Sequence, residues 1–273
     1  MRFKLTIEYA GTRYRGWQIQ QNARTVQGEI DRAVRSVTGR KDFELYGSGR
    51  TDAGVHALAQ VAHLDVVTAL PAEPLRRRLN EELPADIHIL AATPVPHRFH
   101  ARHDAVARRY LYQIARRRTA FAKPYVWWVK ENLDAAHMRA GAAALVGMKD
   151  FSAFAETESA NKAAKAPEKS TIVLVERLDV VEDGDLVLVV IEGSHFLWKM
   201  VRRIVGVLAE IGKGGMETDA AARLLGADSE IPARLTAPAA GLFLDRVFYA
   251  NDRRDVQTRA ATPISEAPDA SPR

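Results

Sequence analysis

One carboxylate, one guanidinium and three glycines stand together in Gly47-Ser48-Gly49-Arg50-Thr51-Asp52-Ala53-Gly54-Val55-His56. Glycine takes up backbone shapes that a Cβ resists, and it lets a second molecule come close. A carboxylate presented on such a turn can attack an electrophilic carbon and split one hard displacement into two easier steps. Arg50 lies two residues from Asp52, so in an extended segment both side chains face one side. The guanidinium then keeps Asp52 ionised by lowering its pKa, or binds a phosphate. The same residues also fit an ordinary Asp-Gly connection, in which Arg50 and Asp52 are a solvated pair of little energetic weight. The turn alone does not decide between these readings.

A second set of residues points to a polyanion. Between Arg98 and Arg118 lie Arg102, Arg108, Arg109, Arg116 and Arg117, with His97, His100 and His103 beside them and only Asp104 opposed. Arg13, Arg15, Lys199, Arg202 and Arg203 form smaller clusters. A basic band on a globular protein suggests nucleic acid first. On a strand Arg108, Tyr110, Tyr112 and Ile114 share one face, so a tyrosine can stack on a base while arginines hold phosphates. Core tyrosines on a half-buried strand fit the same pattern. The three histidines recur at helical spacing, but Arg98-Phe99 and the strand that follows are not helical, and no acid cluster accompanies them; no metal is expected. Gly47-x-Gly49 is no dinucleotide motif, because Gly54 breaks the spacing.

The elements that position these residues read as a mixed α+β chain. Phe3, Leu5, Ile7 and Tyr9 alternate as on a strand. Val26, Ile30, Val34 and Val37 follow helical spacing, with Thr25 as N-cap. Phe43–Tyr46 and Ala57–Val67 are strands around the glycine turn, Pro74–Leu83 a helix and Asp86–Val95 a strand, in the order βαββαβ of ferredoxin-like folds. The order then recurs: strand Ala107–Ala115, helix Asp134–Val146, a hairpin Thr171–Val181 and Leu186–Glu192 around Asp183-Gly184, helix Phe196–Ile211, helix Thr218–Leu225 and strand Leu242–Tyr249. Two tandem halves with mainly antiparallel sheets follow, an N-terminal domain at 1–105 and a C-terminal one at 106–250. Residues 251–273 are polar and proline-dotted, and a disordered tail is expected there. The stretch 155–170 is a long loop.

The chain has 273 residues, a net charge of +5 and no cysteine, which excludes disulfides, thiolate catalysis and cysteine-held metal. No apolar run approaches a membrane span and the start is no signal peptide, so the cytoplasm is the expected location.

The turn Gly47–Ala57 resembles the signature of the tRNA pseudouridine synthase A family. Tyr9-Ala10-Gly11, Gly16–Gln20, Gln60–Asp65, Phe99–Arg102, Ala107–Tyr110, Asp150–Phe154, Met200–Gly206 and Ala240–Leu242 resemble the family's further motifs, across nearly the whole folded region. The resemblance implies a pseudouridine synthase fold, a homodimer with tRNA across a basic cleft, and uridines 38, 39 and 40 of the anticodon arm as substrates. It implies Asp52 as nucleophile, Arg50 as its partner, Tyr110 stacked on the target uracil and available as a base, Arg202 lining the pocket and Leu242 under the base. The basic band, independently of the resemblance, makes Arg102, Arg108 and Arg109 the expected substrate-binding residues. The chain departs from the family at Trp198-Lys199, at Arg203 and at Lys169-Ser170, all of which bear on tRNA docking.

The implied reaction breaks the N1–C1′ bond of uridine, turns the base and rejoins it through C5. It is an isomerisation without redox change, so no cofactor is called for. Asp52 serves at the sugar as carboxylates do in glycoside cleavage, or adds to C6 of the uracil, or the path runs through a glycal. A non-catalytic RNA-binding protein on the same scaffold also explains the arginines and tyrosines, but it gives Asp52 no task.

Overall fold

A computed structural model describes residues 1–156 and 170–264. Most of the 155–170 loop and the end of the expected tail lie outside the described residues. In chain order the elements are β1 (Arg2–Tyr9), α1 (Val26–Thr38), β2 (Glu44–Gly47), β3 (His56–Asp65), α2 (Ala72–Glu82), β4 (Ile87–Val95), β5 (Ala105–Ala115), β6 (Trp127–Trp128), α3 (Ala135–Ala143), β7 (Gly147–Asp150), β8 (Ile172–Asp183), β9 (Leu186–Gly193), α4 (Met200–Gly212), one-turn helices at Ala220–Arg223 and Ile231–Arg234, and β10 (Leu242–Tyr249). The class is α+β with mostly antiparallel pairing, as expected. No helix among the described residues is long and apolar enough to cross a membrane.

The chain forms two compact units, Met1–Tyr110 with Leu242–Val256, and Leu111–Gly241 with the described residues from Gln257 on. The boundary between the units falls inside β5, between Tyr110 and Leu111, and β10 belongs to the first unit. The reason is hydrogen bonding: Phe243 and Leu244 of β10 pair with His56 and Ala57 of β3.

In the first unit the alternation of β1 is realised, with Phe3, Leu5, Ile7 and Tyr9 buried. β1 lies antiparallel between β3 and β4. α1 begins where Thr25 Oγ1 accepts from Gly28 N at 3.3 Å, and it ends at the left-handed Gly39. Its Val26, Ile30, Ala33 and Val34 join Leu75 and Leu79 of α2 and the β1 side chains in one core. The outer edge of β3 is shared. β2 takes Ala62–Asp65 antiparallel, and β10 takes His56 and Ala57 in parallel. The segment between β2 and β3 therefore leaves the sheet where one neighbour gives way to the other.

In the second unit β8 and β9 form the hairpin read from Asp183-Gly184, with Asp183 opposite Leu186. β7 adds to β8, and β6 to the end of β5. Asp134 caps α3 by accepting from Ala136 N and His137 N at 2.8 and 3.0 Å. α4 starts at Met200 instead of Phe196, because Lys199 is left-handed, with φ of 60°, and a right-handed helix cannot run through it. Part of the expected tail is held in place. Ala261 N donates to Gln113 Oε1 at 2.7 Å and Gln113 Nε2 to Thr262 Oγ1 at 2.9 Å, which satisfies a fully buried amide.

The arginine band is not one surface. Arg98 and Arg102 are exposed, whereas Arg116 pairs with Glu182 at 2.6 Å and Arg117 with Asp185 at 2.5 Å. Arg109, expected to bind substrate, is 1% exposed, pairs with Asp245 of β10 at 2.9 Å and donates to Val256 O at 2.7 Å. Strand alternation turns it to the face opposite Arg108 and Tyr110, so it serves the fold. Burial raises the Asp245 pKa, with Arg109 acting the other way. Removing one partner leaves a buried, uncompensated charge, so Asp245→Asn is expected to lower unfolding free energy by about 3–5 kcal/mol. Arg109→Met combined with Asp245→Leu is expected to recover most of that loss. Denaturant titration of the three proteins checks both results.

Candidate active site

Asp52 is half-buried on a turn closed by Val55 N donating to Asp52 O at 3.2 Å. Gly54, the third residue of that turn, has φ of 79°, the positive value that a type II turn requires there. Gly47 has a different task. A Cβ on it would stand 2.6 Å from the ring of Trp17, so glycine lets that indole lie against the end of β2.

The rest of the turn is held by hydrogen bonds from the first unit. Ser48 N donates to Val61 O at 2.7 Å, Trp17 N to Thr51 O at 3.0 Å and Gly54 N to Tyr14 O at 3.3 Å. Ser48 Oγ donates to Gln60 Oε1 at 2.7 Å, and Gln60 Nε2 to Gly49 O at 3.1 Å. The Tyr9 hydroxyl and Thr51 Oγ1 are 2.8 Å apart, and burial holds the Tyr9 phenol above its usual range. His56 ends the turn, its Nδ1 accepting from Gly11 N at 3.0 Å and its ring stacked on Phe243 at 4.8 Å. A Nδ1 that accepts from an amide leaves the ring proton of neutral His56 on Nε2. The fully buried Gln60 was not singled out for chemistry in the sequence; a long polar side chain between the apolar Ala59 and Val61 was the available signal.

Tyr110 is half-buried against the core of the same unit. Its phenol is pushed up to about 12, first by burial, with Arg108 opposing and the Asp52 charge adding to the rise. Asp52 and Tyr110 are thus within electrostatic reach of each other. Leu242, buried at the start of β10, precedes Phe243, which sits opposite His56. The sheet register thereby sets Leu242 beside the end of the turn. Arg50 is exposed, as is Arg102, whose carbonyl accepts from Arg108 at 2.9 Å. The first unit therefore brings together Asp52, Arg108, Tyr110 and Leu242, and it turns Arg109 away.

Arg202 belongs to the second unit, half-buried on α4, with Nε donating to Ala237 O at 2.7 Å. The departures beside it are tied to one acid. Glu156 receives Lys199 Nζ at 2.8 Å and Arg203 Nη2 at 2.6 Å, and these bonds, Lys199 first, hold its carboxyl below the usual range. His97 meets Asp65 at 3.1 Å, and the rings of His100 and His103 are 4.2 Å apart. Among the described residues no group of three or more histidines and acids is arranged to hold a metal ion.

A family model described as tRNA pseudouridine synthase matches residues 5–104 and 142–250. The chain is 42% identical over 251 residues to "tRNA pseudouridine synthase A" of Rhodopseudomonas palustris strain BisA53, covering 91% of this chain and 99% of that one. It is 42% identical over 249 residues to the protein of the same name from Citrifermentans bemidjiense, covering 90% and 96%. To that of Thermoanaerobacter sp. strain X514 it is 40% identical over 249 residues, covering 90% and 98%.

Tyr110 gives a titration that can be read directly. Its phenol holds its proton more tightly in the fold than in the unfolded chain, where the value is about 10. Its contribution to stability is therefore complete below pH about 10 and is lost as pH rises towards about 12. Ultraviolet titration of tyrosinate in wild type and Tyr110→Phe is expected to differ by one phenol near 12; a difference near 10 contradicts the buried ring.

Proposed function

The chain belongs to the tRNA pseudouridine synthase family, and we propose that it isomerises uridine to pseudouridine at positions 38, 39 and 40 of tRNA, with Asp52 as nucleophile. The observation that carries this reading is the position of Asp52. It is a half-buried carboxylate on a turn bonded from several sides, within electrostatic reach of an aromatic ring.

In this reading the target uridine leaves its stack, which costs a few kcal/mol, and comes to rest on Tyr110. A phenol pushed up to about 12 keeps its proton at neutral pH, so Tyr110 serves as a neutral stacking surface better than as a resident base. Leu242 supports the base from the strand beside the turn. Asp52 attacks C1′, adds to C6 or works through a glycal route. In each case the N1–C1′ bond breaks, a C5–C1′ bond forms, the proton on C5 passes to solvent and N1 gains one. The exposed Arg50 and Arg102 suit phosphate, and Arg50 also suits pairing with Asp52. The enzyme works as a cytoplasmic homodimer without a cofactor. The homodimer follows the family resemblance, and an isomerisation without redox change calls for no cofactor.

The test uses tRNA transcripts carrying tritium at C5 of uridine. Wild type is expected to release tritium to water and to place pseudouridine at 38, 39 and 40 only. Asp52→Asn is expected to fold and bind tRNA yet release none above background. Binding by wild type without tritium release favours the non-catalytic RNA-binding reading. Release by Asp52→Asn removes Asp52 as nucleophile.

A further inference from the structure

Arg108 is half-buried, and its guanidinium donates to three backbone carbonyls. Nη1 donates to Ala105 O at 3.2 Å, and Nη2 donates to Ser48 O at 3.2 Å and to Arg102 O at 2.9 Å. Ser48 is in the turn that carries Asp52, and Ala105 opens the strand that carries Tyr110. Arg102 lies in the loop before that strand. One side chain thus binds carbonyls from two segments that are distant in sequence. The planar guanidinium, with five donors in a rigid fork, can do this; a lysine ammonium on a flexible stem cannot hold the same geometry.

The surroundings of Arg108 differ from those of an arginine kept for phosphate. Arg102, six residues earlier, is exposed. Burial draws the Arg108 pKa below the usual arginine range, opposed by the phenols of Tyr110 and Tyr249. Its charge faces both tyrosines and the neighbouring Arg102.

We propose that Arg108 is a positioning residue for the isomerisation: through Ser48 O, Arg102 O and Ala105 O it fixes the turn bearing Asp52 against the strand bearing Tyr110, and it does not bind tRNA phosphate. The proposal rests on the reading of Asp52 as nucleophile. It replaces the substrate-binding role that the arginine band and the strand face shared with Tyr110 led us to expect of Arg108.

Arg108→Lys and Arg108→Met are compared with wild type by single-turnover pseudouridine formation at saturating tRNA and by tRNA affinity across a salt series. A misplacement of the order of 1 Å costs about 100-fold in rate, so that loss is expected in both variants. Affinity and its salt slope are expected to stay at wild-type values. A phosphate contact gives the opposite result: a rate near wild type, restored affinity in the lysine variant, and a salt slope lowered by about one in the methionine variant. That outcome overturns the proposal. Thermal unfolding checks that each variant folds. If the methionine variant does not, the lysine variant decides alone, a wild-type rate overturning the proposal and a lost rate with an unchanged salt slope supporting it. Asp52→Asn is run in parallel, and turnover there ends the nucleophile reading whatever the Arg108 variants show.

Discussion

The outer edge of β3 has two occupants, and the site depends on how they divide it. β2 pairs antiparallel as far as Gly47 opposite Ala62, and β10 pairs in parallel from His56. Residues 48–55 leave the sheet between these ladders with both ends pinned. Buried backbone donors and acceptors need partners, and the turn finds them in the first loop of the chain and in Gln60. Its conformational entropy is therefore lost in folding rather than in meeting a substrate. The parallel partner β10 also delivers Leu242 to the turn.

Strand alternation then separates two arginines that are neighbours in sequence. Arg108 shares a face with Tyr110, beside the turn. Arg109 points the other way into an ion pair with Asp245. The carboxylate of Asp52 and the ring of Tyr110 thus stand in an environment that one arginine helps to shape and the other does not enter. Burial dominates the Tyr110 phenol, with Asp52 and Arg108 pulling in opposite directions.

Much of this was legible in the sequence wherever the signal was local. Period-two burial in β1, helical spacing and the Thr25 cap in α1, and Asp183-Gly184 in the β8–β9 hairpin all depend on residues close in the chain. The turn around Asp52 was legible for the same reason, since its glycines and acid are contiguous. What depended on distant partners was not. The arginine band looked like one surface until acids from β8, from the β8–β9 turn and from β10 took up Arg116, Arg117 and Arg109. The return of β10 to the first unit is a pairing between chain ends. Lys199 gave no local sign of its left-handed backbone, and so the start of α4 was placed too early.

The hydrogen bonds of the Asp52 turn form it before any RNA arrives. Amide hydrogen exchange in the free protein tests it most directly, at Trp17, Ser48, Gly54 and Val55, whose N–H groups donate to Thr51, Val61, Tyr14 and Asp52. A preformed turn predicts slow exchange at all four, with opening free energies close to those of β3. Exchange at the rate of an open loop, slowed only when tRNA is added, contradicts it.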